Sequence, residues 1–179
     1  MAEVYDRQKA EFAGSHGTVK GYVIRARATF AYPVKAVLDA SHDHVHLSER
    51  DSDVKREEVT RTDCTQEICL INVHVLVGSF FPVGQVTYEL ETQIRNEGDG
   101  GFIIEWSKST GTRFIKHLHG ELRLTPVGET GEATKVDYLL EVAAPQLSLD
   151  KLAAKAIAYL ERLETIIEER HQGHPSLWG

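Results

Sequence analysis

The chain has 179 residues, 41% of them hydrophobic, and its 27 Asp and Glu outnumber 20 Lys and Arg to give a formal net charge of −7. That length suffices for one domain with a substantial core and room for a cavity, while the acidic balance offers phosphate backbones no general attraction, so nucleic acid is not an expected partner. The longest apolar run, at 73–81, is interrupted by His74, Gly78 and Ser79, and membrane insertion is not expected.

The opening stretch MAEVYDRQKAEFAG is charged throughout and lacks the apolar core of a secretory signal. Residues 1–17 are read as an N-terminal extension, 18–170 as the folded domain and 171–179 as a tail. Cys64 and Cys69 are too few for a disulfide framework. On one strand their odd separation would place them on opposite faces, so no bond is expected and the cytoplasm is the expected location.

In residues 19–30, Tyr22, Ile24, Ala26, Ala28 and Phe30 alternate with Arg25, Arg27 and Thr29, the period of a half-buried strand. Pro33 then suits the start of a short helix carrying Val34, Val37 and Leu38, which ends before the loop HDHVH at 42–46. Six further strands follow at 54–62, 66–77, 85–95, 101–107, 113–125 and 133–142. They are rich in β-branched and aromatic residues and separated by short Gly-containing or polar turns. Connections this short force antiparallel pairing. From Leu149 the period changes: Leu152, Ala153, Ala156, Leu160, Leu163 and Ile167 recur at helical spacing behind Ser148 as cap. A helix over 149–170 with one apolar stripe must lie along a sheet. The expected fold is α+β, a curved seven-stranded antiparallel sheet wrapped around a long C-terminal helix, with short helices after the first strand.

Two stretches carry a family resemblance. ATFAYPVKAVLDA resembles the strand-to-helix transition of the START-like, helix-grip superfamily (SRPBCC), in which a proline precedes a short Val-containing helix. FIKHLHGELRLTPVGETGEATKVDYLLEVAAP resembles its final hairpin, with a Gly-x-x-x-Leu pattern, a turn rich in Gly and acidic residues, and a Val-x-Tyr-x-Leu strand. The resemblance spans about residues 18–170. It implies a cavity between concave sheet and long helix, of the kind in which relatives hold lipids, sterols, polyketides or other apolar molecules.

Side-chain parity independently selects an inward set: Val86, Tyr88, Leu90 and Ile94; Phe102, Ile104 and Trp106; Phe114, Leu118, Leu122 and Leu124; Val136, Tyr138, Leu140 and Val142. Taken singly each suits a packed core; only the set suggests a pocket. Gly120 and the small helix residues Ala153 and Ala156, ahead of Leu160 and Leu163, are expected to leave volume. The same parity turns Lys116 inward, where its ammonium would meet a ligand carboxylate or phenolate. Tyr88 and Tyr138 would orient a ligand hydroxyl or carbonyl. On the strand at 66–77 the uninterrupted face of Cys69, Ile71, Val73, Val75 and Val77 is the expected interior, which sends His74 outward unless a bulge reverses the register.

The HDHVH loop lacks the partner motif that would complete a metal site, although His16, His117 and His119 could approach it. It is read as the polar outer side of a lid with Val45 and Leu47 tucked inward; neither a metal nor a cofactor is expected. The expected function is binding of an apolar or amphipathic small molecule, as carrier or sensor. The alternative is a cyclase or dehydratase using Lys116, Tyr88, Tyr138 or His74, none of which forms a recognisable dyad. A homodimer through the apolar strand is a third reading.

Overall fold

The computed structural model describes residues 1–14, 16–51, 53–80, 84–111, 114–145 and 147–173. Its elements are β1 (Glu3–Gly14), β2 (Gly17–Phe30), α1 (Val34–Ser41), α2 (His44–Glu49), β3 (Arg56–Cys64), β4 (Ile68–Phe80), β5 (Gly84–Asn96), β6 (Phe102–Gly111), β7 (His117–Val127), β8 (Ala133–Ala143) and α3 (Leu149–Gly173). They form one sheet in the order β1-β2-β8-β7-β6-β5-β4-β3, every neighbouring pair antiparallel. No helix among the described residues is long and apolar enough to cross a membrane.

The sheet has eight strands, not seven. The additional strand is β1, which lies inside the segment read as an extension and pairs with β2 along Glu3↔Arg27 to Gly14↔Gly17. Its apolar alternation is broken by Asp6 and Gln8 and by a bulge between Val4 and Asp6, so its period does not show in the sequence. Gly21 of β2 leaves no room for a Cβ beside the Val142 carbonyl and the Phe12 ring, which fixes the close fit of this edge.

The cysteines require a second correction. Cys64 and Cys69 stand opposite each other across the β3–β4 turn and are joined as a disulfide. The opposite-face objection holds only for one continuous strand, and here the chain reverses between them.

The inward parity of β2 is as expected, with Ile24, Ala26, Ala28 and Phe30 buried. On β4, Ile71, Val73 and Val75 are buried and His74 is turned outward beside Glu89. Pro33 precedes α1 in an extended conformation, and Val34, Ala36, Val37 and Ala40 bury one helix face. Ser148 caps α3 through its hydroxyl to the Lys151 N–H at 3.2 Å. The helix spans about 37 Å at the standard rise, and Leu152, Ala153, Ala156, Leu160, Leu163, Ile166 and Ile167 bury its stripe against the sheet.

β6 continues to Gly111 and β7 begins only at His117. Phe114 and Lys116 therefore lie on the connection between them, and Lys116 is exposed, its backbone N–H donating to the Ala143 carbonyl at 2.8 Å. The strand parity that turned Lys116 inward does not extend to it.

Candidate functional site

The concave face of the sheet is unevenly covered. Ile104, Leu122, Leu124, Val136 and Leu140 are buried against the core, as are Ala156, Leu160 and Leu163 of α3. Leu90, Trp106 and Leu118, on the same inward parity of β5, β6 and β7, are only half-buried, as is Phe114 on the β6–β7 connection. An inward apolar side chain still open to solvent marks a place where packing is incomplete.

An aromatic group occupies this place. The Trp106 ring lies 6.0 Å from Tyr138 and 6.2 Å from Tyr159, and Tyr138 and Tyr159 are 5.0 Å apart between centroids. Trp106 is the cross-strand partner of Gly120, and a Cβ on Gly120 would collide with the indole. The volume that Gly120 was expected to leave free is thus taken by Trp106. Tyr159 falls three residues after Ala156 and four before Leu163, a spacing that places it on the buried stripe; alternation on the strands had no means of selecting it.

Charged groups close the site at the helix. The Arg162 Nη2 donates to Asp51 at 3.2 Å, with the two side chains 19% and 22% exposed, and the guanidinium carbon sits 5.8 Å from the Tyr159 ring centroid. The Arg162 Nε is fully enclosed and has no hydrogen-bond partner among the described residues. Behind it, Nδ1 of His44 on α2 meets Glu57 of β3 at 2.7 Å, both side chains less than a fifth exposed. Lys155, about two turns before Arg162, pairs with Asp53.

Burial makes the Tyr88, Tyr138 and Tyr159 hydroxyls weaker acids, with pKa well above the ordinary phenol range. The carboxylates of Glu57 and Asp51 push Tyr88 further in the same direction, and Glu57 does so for Tyr159 against the opposing pull of Arg162. All three are neutral O–H groups at physiological pH.

The HDHVH segment is a structural junction. His42 follows the last turn of α1 with its Nδ1 on the Leu38 carbonyl at 2.5 Å, and burial lowers its proton affinity. Asp43 caps α2 by accepting from the His46 backbone N–H at 3.3 Å and meets the His46 ring at 2.7 Å and Arg170 of α3. Burial acts to raise the Asp43 carboxyl, but these hydrogen bonds outweigh it and hold the group below its usual range. Leu47 is buried in the core; the Val45 side chain lies outside the described residues. No three His, Cys, Asp or Glu among the described residues are grouped to hold a metal ion.

Two recesses open elsewhere. One of about 260 Å³ lies beneath α1, lined by Leu38, His42, Glu67, Ile71, Ile94 and Phe102. Another, of about 610 Å³, runs between β1 and α3 past Val4, Arg7, Ala153, Ile157 and Glu161. The aromatic group, with the enclosed Arg162 Nε beside the Tyr159 ring, is the candidate site.

The fold has many solved counterparts. A STAR-related lipid transfer protein from Xanthomonas axonopodis superposes with a TM-score of 0.65 at 14% identity, covering 89% of this chain and 98% of that one. The Zhui aromatase/cyclase from Streptomyces sp. R1128 gives 0.56 at 13% identity, covering 92% and 96%. A START superfamily protein from Mycobacterium smegmatis gives 0.58 at 13% identity, covering 82% and 97%. No protein-family model and no curated protein matches the sequence. The architecture is that of the START/SRPBCC-like fold, an α+β helix grip with a large antiparallel sheet and a C-terminal helix.

Proposed function

We propose that this chain binds an apolar or amphipathic small molecule between the concave sheet and α3, as a carrier or sensor. The observation that carries this reading is the half-open state of the inward residues Leu90, Trp106 and Leu118 beside Tyr138 and Tyr159. A binding protein needs apolar volume and an approach to it, and this arrangement supplies both. Two solved counterparts described as a lipid transfer protein and an aromatase/cyclase support the same use of the fold.

A cyclase or dehydratase is the second reading, favoured by one observation: the His44–Glu57 pair lies close enough to Tyr88 and Tyr159 for Glu57 to perturb both. Such a pair has the composition of a general base and its orienting group.

The test is equilibrium dialysis of the full chain against fluorene, a planar hydrocarbon matched to the aromatic group. One molecule per chain is expected to bind, and Leu118→Trp, which fills the half-open wall, is expected to weaken it at least tenfold. Absence of saturable fluorene binding would overturn the proposal.

A further inference from the structure

We propose that this chain forms a two-fold dimer through the free edge of β3, pairing that strand antiparallel with the β3 of a second copy. β3 closes one end of the sheet: it pairs with β4, and no strand among the described residues lies along its other side. Such an edge offers its amides and carbonyls to a strand whose side chains match it. The apolar strand β4 is not available in this way, since β3 and β5 occupy both its sides.

The strand that matches β3 is β3 itself, run in the opposite direction. Ahead of its bulge, Glu57 and Val59 stand opposite the buried Val75 and Val73 and share their inner face, while Arg56 and Glu58 stand opposite Leu76 and the outward His74. Thr60 is the extra residue of the bulge between Val59 and Arg61. Beyond it the parity is shifted, so that Thr62, opposite the buried Ile71, is inward, and Arg61 and Asp63 are outward. The outer face thus carries Arg56, Glu58, Arg61 and Asp63 in that order, alternating in sign and each more than half exposed. α2 meets the strand on the other face, where His44 contacts Glu57.

A two-fold axis between Val59 and Thr60 sets Arg56 opposite the second copy's Asp63 and Glu58 opposite its Arg61, each contact occurring twice by symmetry. Glu57 then faces Thr62, so inner residues meet inner and outer meet outer. The bulge permits this, because in a regular strand Arg56 and Asp63 would lie on opposite faces. Sliding the strands by one step in either direction places Glu58 against Asp63 or Arg56 against Arg61, and like charges directly opposite are destabilising. Charges on an edge ordinarily keep other strands away, but here each finds its opposite in the same sequence reversed. Exposed ion pairs add little affinity; these choose the register and the partner. Val59, an exposed apolar residue on the inner face, comes beside its symmetry mate at the axis and is covered. A contact made by one strand is smaller than an obligate interface, so the dimer is expected to be reversible.

Sedimentation equilibrium of the full chain over a range of concentrations tests this. The weight-average mass of the native chain should rise with concentration toward twice that of one chain. Glu58→Arg and Arg61→Glu each set like charges against each other at two places and should weaken association about tenfold. Both side chains are exposed, so each variant should keep the far-ultraviolet circular dichroism of the native chain. An equimolar mixture of the two variants should dimerise again, because both contacts across the interface are then between opposite charges. Glu58→Arg/Arg61→Glu in one chain should restore association for the same reason. A native chain that stays monomeric at every concentration, a dimer that either single substitution leaves unchanged, or single variants that stay apart when mixed would overturn the proposal.

Discussion

Trp106 on β6 lies flat over Gly120 on β7, its cross-strand partner, in the space a side chain at that position would need. The indole is a ring with little freedom to withdraw, so the fit depends on the missing Cβ. Gly120→Ala should destabilise the fold by about 1–3 kcal/mol, the usual scale of overpacking. It should also move the tryptophan emission to longer wavelength. Denaturant unfolding and emission spectra in a Trp178→Phe background check both, since Trp106 is then the sole tryptophan of the two in the chain.

Arg162 and Asp51 form a mostly buried ion pair that ties α3 to the segment after α2. Removing one member leaves the other charge enclosed and unmatched. Arg162→Met and Asp51→Asn are each expected to destabilise the chain, and the double variant by less than their sum. A double-mutant cycle in urea should return a coupling of about 1 kcal/mol. A coupling of zero would show the pair to be screened by solvent.

His42 makes stability depend on pH. Burial, the largest influence, lowers its proton affinity below the ordinary value of 6.5, outweighing the Leu38 carbonyl and Asp39, which favour the proton, with His44 acting against it. Below that value the unfolded chain binds a proton that the folded one resists. The stabilising contribution of neutral His42 is therefore fully present above pH 6.5 and is lost as pH falls from there toward the folded value. Its slope is at most about 1.4 kcal/mol per pH unit. Chemical unfolding across this window should show the dependence in the native chain and a flatter profile in His42→Asn.

The Cys64–Cys69 bond closes a short turn, so its effect on the unfolded chain is modest. Loop-closure entropy for so small a ring gives about 2 kcal/mol. Cys64→Ser/Cys69→Ser should lower stability by that amount relative to the oxidised chain and match the reduced chain. Peptide mapping with and without reductant identifies the bond.

The inward faces of β2, β5 and β8 were legible in the sequence, because side chains alternate strictly and the apolar set faces the helix. The α3 stripe was legible for the same kind of reason at helical period. Lys116 was misplaced where that logic was carried past the end of a strand: the residues before His117 form a connection, in which parity has no meaning. Tyr159 was missed because the aromatic lining was selected by strand alternation, which cannot pick out a residue of α3. Arg162, Asp51 and Glu57 were missed for a different reason. They come from α3, the loop after α2, and β3, and their partnership exists only once the sheet has curved to bring those elements together. Alternation reports which face a residue is on, not which distant residue it will meet.

The β1–β2 hairpin has a consequence for the order in which the sheet is assembled. β2 is bordered on one side by β1, its immediate neighbour in the chain, and on the other by β8, where Phe30 pairs with Thr134. Joining the first pair requires the chain only to fold back between Gly14 and Gly17, whereas joining the second requires nearly everything in between to be brought round. Loop closure favours the near partner at every stage. One row of β2 amides is thus occupied from early on, and the incoming β8 meets a strand with a single vacant side. The segment at the start of the chain leaves β8 one edge of β2 to join, and the second seam of the sheet closes on a strand already paired on its far side.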